Sequence, residues 1–171
     1  MRETPILQGD GVVLRPLRVD DAEALFAAHG DVRAHHFWSG PAHESIAQTA
    51  RYIQDTLDIP GARVWAITET GGPAMGRIGL FEHREGVGEF GIIMRPDAQG
   101  RGLALKAVML ASAYAFETMG LHRLVADIDP DNSGSLNLFL RAGFHREALL
   151  KQNWRTHLGL RDTVLMAKFM S

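Results

Sequence analysis

The segment Gln99-Gly100-Arg101-Gly102-Leu103-Ala104 constrains this chain more than any other. It lies between an extended stretch ending in Met94-Arg95-Pro96-Asp97 and a helical pattern that runs from Leu103 to Met119. A glycine-rich turn that opens a helix leaves the first backbone N–H groups without intrahelical partners, and the helix dipole adds partial positive charge there. Glycine lets the backbone approach a ligand that a Cβ would hold away. That combination suits an anion, phosphate above all. Six residues of this kind also describe an ordinary turn, so the meaning rests on what surrounds them.

The surroundings are mixed α and β. Gly11–Leu17 alternates apolar and polar residues and reads as a first strand. Asp20 or Asp21 offers a cap for a helix through Ala22, Leu25, Phe26 and Ala28. Ile46, Thr49, Ala50, Ile53 and Leu57 fall at helical spacing, which predicts a second helix from about Pro41 to Leu57. Strands follow at Arg63–Thr68 and Ala74–His83 around a Gly71-Gly72-Pro73 turn, and a fourth at Val87–Met94. In the long helix, Leu105, Val108, Met109, Ala111, Ala115 and Phe116 share one face. A strand at Leu121–Ile128, a short helix at Asn132–Arg141 closed by Gly143, and strands near Phe144–Trp154 and Leu160–Phe169 complete the order.

Composition removes several classes of function. A length of 171 residues suits one domain, and 46% hydrophobic with 22% charged residues is ordinary for a soluble globular protein. The net charge of −2 gives no electrostatic reason to expect nucleic acid or an anionic membrane as partner. With no cysteine, disulfides, a thiolate nucleophile and Cys-ligated zinc are excluded. No apolar run approaches the ~18 residues of a membrane span, and the N-terminus lacks an apolar signal core, so a cytoplasmic protein is expected. The absence of a G-x-G-x-x-G turn after the first strand, and of repeated βαβ units, argues against a dinucleotide-binding oxidoreductase.

Four spaced motifs give the turn its context. Gln99-x-x-Gly102-x-Ala104 follows Glu89-Phe90-Gly91-Ile92-Ile93-Met94-Arg95-Pro96-Asp97. Downstream come Asp131-Asn132-x-x-Ser135 with Ala142-Gly143-Phe144, and then Gly159-Leu160-Arg161-Asp162. In content and order this resembles the GCN5-related N-acetyltransferase family, and within it the RimJ/RimL-type ribosomal-protein N-terminal acetyltransferase-like branch. The resemblance implies an α+β fold of three α/β/α layers. Its mixed, mostly antiparallel seven-stranded sheet would be splayed between the fourth and fifth strands, with four helices, in a single domain over 1–171. It implies an acetyl-CoA-dependent N-acetyltransferase that moves the acetyl group directly to a primary amine, either a protein N-terminus or a small molecule. A non-catalytic acyl-CoA-binding sensor of the same fold is the alternative.

By the same resemblance, Gln99, Gly100, Arg101, Gly102, Leu103 and Ala104 bind the pyrophosphate of acetyl-CoA. Backbone groups of Ile93 and Met94 hold the pantetheine arm, Asn132 contacts that arm or the pyrophosphate, and Ser135 faces the thioester sulfur. Arg101 is equally readable as a solvated turn residue. Asp131 or Asn132 is also a natural helix cap, and an Asn can cap and bind at once.

Transfer to an amine needs a base, because an ammonium near pKa ~10 must lose a proton before it attacks. Glu89, in an otherwise apolar strand, is the candidate, with a structural glutamate as its other reading. Many acetyltransferases carry a tyrosine seven residues after the Asn to reprotonate the thiolate. Here that residue is Phe139, so Ser135 or water is left to donate. Glu147 reads as structural. His36, Phe37, Trp38 and Trp154 are candidates for the acceptor pocket, although Phe37, Trp38 and Trp154 read as well as packing residues. The spacings of His29, His35, His36 and His43 match no common metal motif, so no metal is expected. The last two strands are candidates for pairing across a homodimer. No cluster of acidic residues in the acceptor loops points to a polycation.

Overall fold

The structure, a computed structural model, describes residues 3–171. One mixed sheet contains β1 (Leu7–Gly9), β2 (Val12–Pro16), β3 (Arg63–Thr68), β4 (Gly76–Arg84), β5 (Val87–Met94), β6 (Arg123–Ile128), β7 (His145–Thr156) and β8 (Gly159–Phe169). Their spatial order is β1-β2-β3-β4-β5-β6-β8-β7. Every neighbouring pair is antiparallel except β5 and β6, which the long crossover helix makes parallel. The α-helices are α1 (Ala22–His29), α2 (Ile46–Leu57), α3 (Leu103–Glu117) and α4 (Ser133–Arg141).

The sheet has eight strands, where seven were expected. The additional strand, β1, is joined to β2 by Asp10-Gly11, which turn at φ 53 and φ 76. That two-residue Asp-Gly hairpin is the strongest short-range hairpin signal a sequence carries. With only three residues, β1 is too short to show alternation, and the expected first strand absorbed its turn.

Two other expectations are corrected at helix starts. The second helix begins at Ile46, not near Pro41: Ser45 Oγ accepts from Gln48 N at 3.1 Å, and Gln48 Oε1 accepts from Glu44 N at 2.8 Å. The Ser45 cap, worth ~1 kcal/mol, fixes the start, and the Gln48 bond to Glu44 N holds the chain just before it, which leaves Pro41–Glu44 in the preceding loop. Asp21 stands at the α1 N-cap but makes no capping bond with that helix. Its buried carboxylate is bidentate with Arg15 on β2, at 2.6 and 2.9 Å, and also accepts from Arg18 N.

Helices cover both faces of the sheet. The larger core joins α3 and α4 to Val12, Leu14, Trp65, Ile67, Ile78, Leu80, Phe90, Leu124 and Met166. A smaller one joins α1 and α2 to Leu17, Val64, Ala66 and Ala74. Strand β3 alternates residue by residue between the two, as a strand buried on both faces must. The α3 contact rests on Leu103, Ala107, Val108, Ala111 and Ala115, whereas Met109, expected on that face, is half exposed. Small residues at i, i+4 and i+8 let the helix lie close to the sheet.

One irregularity positions the site. Strand β5 pairs with β4 along its whole length, but with β6 only at Val87, Gly88 and Glu89. From Phe90 to Met94, no strand among the described residues pairs with β5 on its β6 side.

Candidate functional site

A short 3-10 turn at Pro96–Ala98 carries the chain from β5 to the glycine-rich segment. Gly100 and Gly102 take φ of 74° and 76°, the left-handed region where L side chains are strained, and nothing lies within 4 Å of a Cβ built on either. Gly102 is the α3 N-cap, provides no side-chain cap, and no acid occupies the first turn. Lys106 N reaches Gly102 O at 3.2 Å, which leaves Leu103, Ala104 and Leu105 with N–H groups that have no intrahelical acceptor. These residues line a cavity of about 470 Å³, together with Gln99, Gly100, Ile93 and Met94.

Its opposite wall is α4, with Asn132, Ser135 and Arg141. Arg101 lies outside the lining and forms an ion pair with Glu69. The cation on the wall is Arg141, which no sequence motif singled out.

A second cavity of about 220 Å³ adjoins the first, and Phe37, Trp38, Ile92, Asn132 and Ser135 line both. Glu89 opens into the smaller one beside Asp127 and Trp154. Burial raises the Glu89 pKa, and the neighbouring Asp127 carboxylate raises it further; a 3.0 Å contact with His83 Nε2 works the other way. Burial also raises Asp127, whose Oδ2 accepts from Trp154 Nε1 at 3.4 Å while Oδ1 is buried with no partner among the described residues. Glu89 pairs in register with Val125, so Asp127, two residues further along β6, shares its face. Sequence reasoning missed Asp127, yet the signal used for Glu89 was there as well: a carboxylate alone in an apolar strand.

The other acids of this pocket are occupied. Asp129 is held well below the usual carboxylate range by hydrogen bonds from Arg161, at 2.8 and 2.9 Å. Asp162 accepts from Gln152 N at 2.8 Å and from Lys151 Nζ at 3.0 Å. The Gln152 bond secures a bulge in β7, where Gln152 has φ 49 and the register shifts before Trp154. Bulges re-aim side chains, and this one sits where the Trp154 ring turns toward Asp127.

Asn132 caps α4, its Oδ1 accepting from Ser135 N at 3.2 Å, so its amide NH₂ is left to donate. Ser135 Oγ makes no hydrogen bond among the described residues and lies where the two cavities meet. Phe139 is buried edge-to-face on Phe144 at 5.0 Å and borders the smaller cavity. His36 is exposed, packs on Phe37 and borders neither cavity. Glu147 forms an ion pair with Arg123 of β6, away from both. Trp38 stacks on His35 at 5.6 Å, next to His29 and His43.

Residues 12–145 match the family model of the acetyltransferase (GNAT) domain. The chain belongs to the GNAT acetyltransferase family. It is 31% identical over 157 residues to the uncharacterized N-acetyltransferase YoaA of Bacillus subtilis (strain 168), covering 86% of this chain and 87% of that one. It is 26% identical over 160 residues to the spermidine N(1)-acetyltransferase of Escherichia coli (strain K12), covering 92% and 86%. Its fold matches that of the spermidine N-acetyltransferase from Vibrio cholerae, solved in complex with CoA and spermine, with a TM-score of 0.80 at 20% identity over 94% and 96% of the two chains.

The chain is thus a GNAT N-acetyltransferase, and such enzymes use acetyl-CoA as donor. The larger cavity fits that donor on its own features: open N–H groups at a 15-residue helix start, two left-handed glycines facing empty space, and Arg141 without an ion-pair partner among the described residues. No helix among the described residues is long and apolar enough to cross a membrane.

Proposed function

We propose that this GNAT enzyme acetylates the primary amine of a small molecule bearing a second positive charge, such as a polyamine, with Glu89 as the base. The observation that carries this reading is the pair Glu89 and Asp127: two carboxylates in one small cavity, neither engaged by a lysine or arginine among the described residues. An ammonium about 4 Å from one of them gains ~4 kcal/mol at an effective dielectric of ~20. The Trp154 ring, which lines the same cavity, adds ~0.5–2 kcal/mol by cation–π attraction. Two acids suit a substrate with two cationic centres better than a monoamine. The similarity to a spermidine N(1)-acetyltransferase points the same way.

On the donor side, the N–H groups of Leu103–Leu105 and the Arg141 guanidinium are the pyrophosphate contacts. The edge of β5 from Phe90 to Met94, splayed from β6 in this reading, receives the pantetheine arm like an added strand. When bound, acetyl-CoA supplies an acyl group activated as a thioester. Glu89 takes the proton of the incoming ammonium; its raised pKa makes it a stronger base than an exposed glutamate. Ser135 Oγ holds a proton at the junction of the cavities, where the thiolate departs. That assignment follows from Phe139, which has no hydroxyl to give. Residues 1–171 act here as one acetyltransferase domain.

An acetylation assay over spermidine, spermine, a simple monoamine and a peptide N-terminus, with thiol release as readout, tests the acceptor. The polyamines should lead the monoamine at least tenfold in kcat/KM. A peptide N-terminus as the best substrate would favour the RimJ/RimL-type branch that the motifs resemble. Tight acetyl-CoA binding with no turnover on any amine would overturn the enzymatic reading of the pocket.

A further inference from the structure

A cluster of imidazoles, separate from the two cavities, packs around the ring of Trp38. His29 is the last residue of α1, and His35 and His43 belong to the loop before α2. One ring nitrogen of each lies within 4.8 Å of those of the other two. His29 is fully buried and His35 is 4% exposed; neither nitrogen of the His29 ring has a hydrogen-bond partner among the described residues, and the His35 ring is touched only weakly by the backbone of Gly40. Buried polar groups are almost always satisfied, and histidines left open in a close group are most simply completed by a metal ion.

His43 has the second contact that ligating imidazoles usually show. Its Nδ1 is 2.9 Å from Thr49 Oγ1, and that hydroxyl donates to Ser45 O at 3.4 Å. Thr49 therefore accepts the His43 Nδ1–H, which leaves Nε2 with the free lone pair. Burial disfavours a charged imidazolium, and the neutral ring is the form that ligates.

We propose that His29, His35 and His43 bind a transition-metal ion that favours imidazole, of the zinc type, with a solvent molecule as fourth ligand. Three nitrogens at ~2.0–2.1 Å from a tetrahedral ion lie about 3.4 Å apart, so closing the set moves any pair by at most ~1.4 Å. His35 and His43 stand in a loop of turns that can accommodate that movement.

The charged and titratable neighbours are Arg77, Tyr52 and, farther out, His157. Arg77 is fully buried, donates to the Tyr52 hydroxyl and lies over the faces of Trp38 and Tyr52 at 4.9 and 5.1 Å. Its charge opposes a dication and holds the affinity below that of a structural zinc finger. The same charge favours hydroxide over water as the fourth ligand, and Arg77 Nε and Nη1 have no other acceptor among the described residues. With three nitrogens and no carboxylate in the set, magnesium and calcium are excluded in favour of zinc, cobalt, nickel or copper. The bound ion would pin the end of α1 to the loop that carries Trp38, and so fix one wall of the acceptor pocket.

The test is a titration of the full chain, tag-free and stripped with chelator, with Co²⁺ and Zn²⁺. One equivalent should bind, with the intense visible absorption of four-coordinate Co²⁺, and Zn²⁺ should raise the Tm. His43→Gln should weaken binding at least tenfold, while a double His36→Gln/His157→Gln variant should bind as the parent does. A second measurement needs no variant: on Zn²⁺ addition, ¹⁵N-histidine spectra should shift at His29, His35 and His43 rather than at His36, His83, His122, His145 or His157. Absence of saturable binding, shifts confined to the exposed histidines, or unchanged affinity in His43→Gln would each overturn the proposal. Acetyl transfer enters none of these readouts, so the result stands apart from the assignment of the acceptor.

Discussion

In the proposed reading, the donor and acceptor sides of the cleft are built by opposite means. The donor side centres on one short stretch of chain, the Gln99–Leu105 turn, whose chemistry is mostly backbone N–H and whose shape depends on two left-handed glycines, with Arg141 added from α4. The acceptor side takes Trp38 from a loop, Glu89 from β5, Asp127 from β6 and Trp154 from a bulged β7, so more than a hundred residues separate its first and last members. Backbone chemistry does not depend on side-chain identity beyond the glycines, so the donor site is robust to most substitutions. A site made of four distant side chains changes character with each one.

Substitutions on the two sides should therefore separate kinetically. The largest effect is expected for Glu89→Gln: kcat falling by ~10²–10⁴, with acetyl-CoA affinity in a binding titration unchanged. Retention of more than a tenth of the activity would remove Glu89 as base. Next, Asp127→Asn should raise KM for a polyamine by ~10–100-fold, as expected for losing a charged hydrogen-bond partner, and affect a monoamine less.

The same variant makes a prediction about pH. Glu89 must be deprotonated to work, and burial with the Asp127 charge raises its pKa, so the acid limb of kcat/KM should lie above that of an ordinary glutamate. Removing the Asp127 charge should move that limb to lower pH. A limb that stays in place would show that Asp127 does not act on the base.

Donor-side changes should be smaller and confined to acetyl-CoA. Gly102→Ala forces a Cβ into the left-handed region at ~1–2 kcal/mol, which predicts roughly tenfold weaker acetyl-CoA binding with kcat largely restored at saturation. Arg141→Gln should cost about two- to fivefold in acetyl-CoA KM, a difference that fades as salt screens the contact. A shift in amine KM of equal size in either variant would break the division between the two sides.

The fold was legible where local chemistry decides it. Val87–Met94 was read to the residue, α3 and α4 within two residues, and the Asn132 cap is present as one of its readings foresaw. Misreadings arose where a competing side-chain partner or a very short element decides. Asp21 reads as a cap until Arg15, six residues earlier on β2, claims its carboxylate, and β1 is too short to show a period. Arg101 and Arg141 exchange apparent importance for the same reason: the first is drawn to Glu69, and the second is brought to the cavity by the packing of α4.

By itself the sequence determined the family and the local form of the glycine turn and its helix, because a helix start, a glycine turn and a cap are local events whose physics is contained in a few consecutive residues. Only the tertiary structure decided the rest. It set Asp127 beside Glu89 through a parallel ladder of three residue pairs, and it aimed Trp154 at Asp127 through a bulge held by Asp162. It also drew His29, His35 and His43 together although their spacing fits no common motif. Charge and coordination depend on distance in space, and separation along the chain does not encode it.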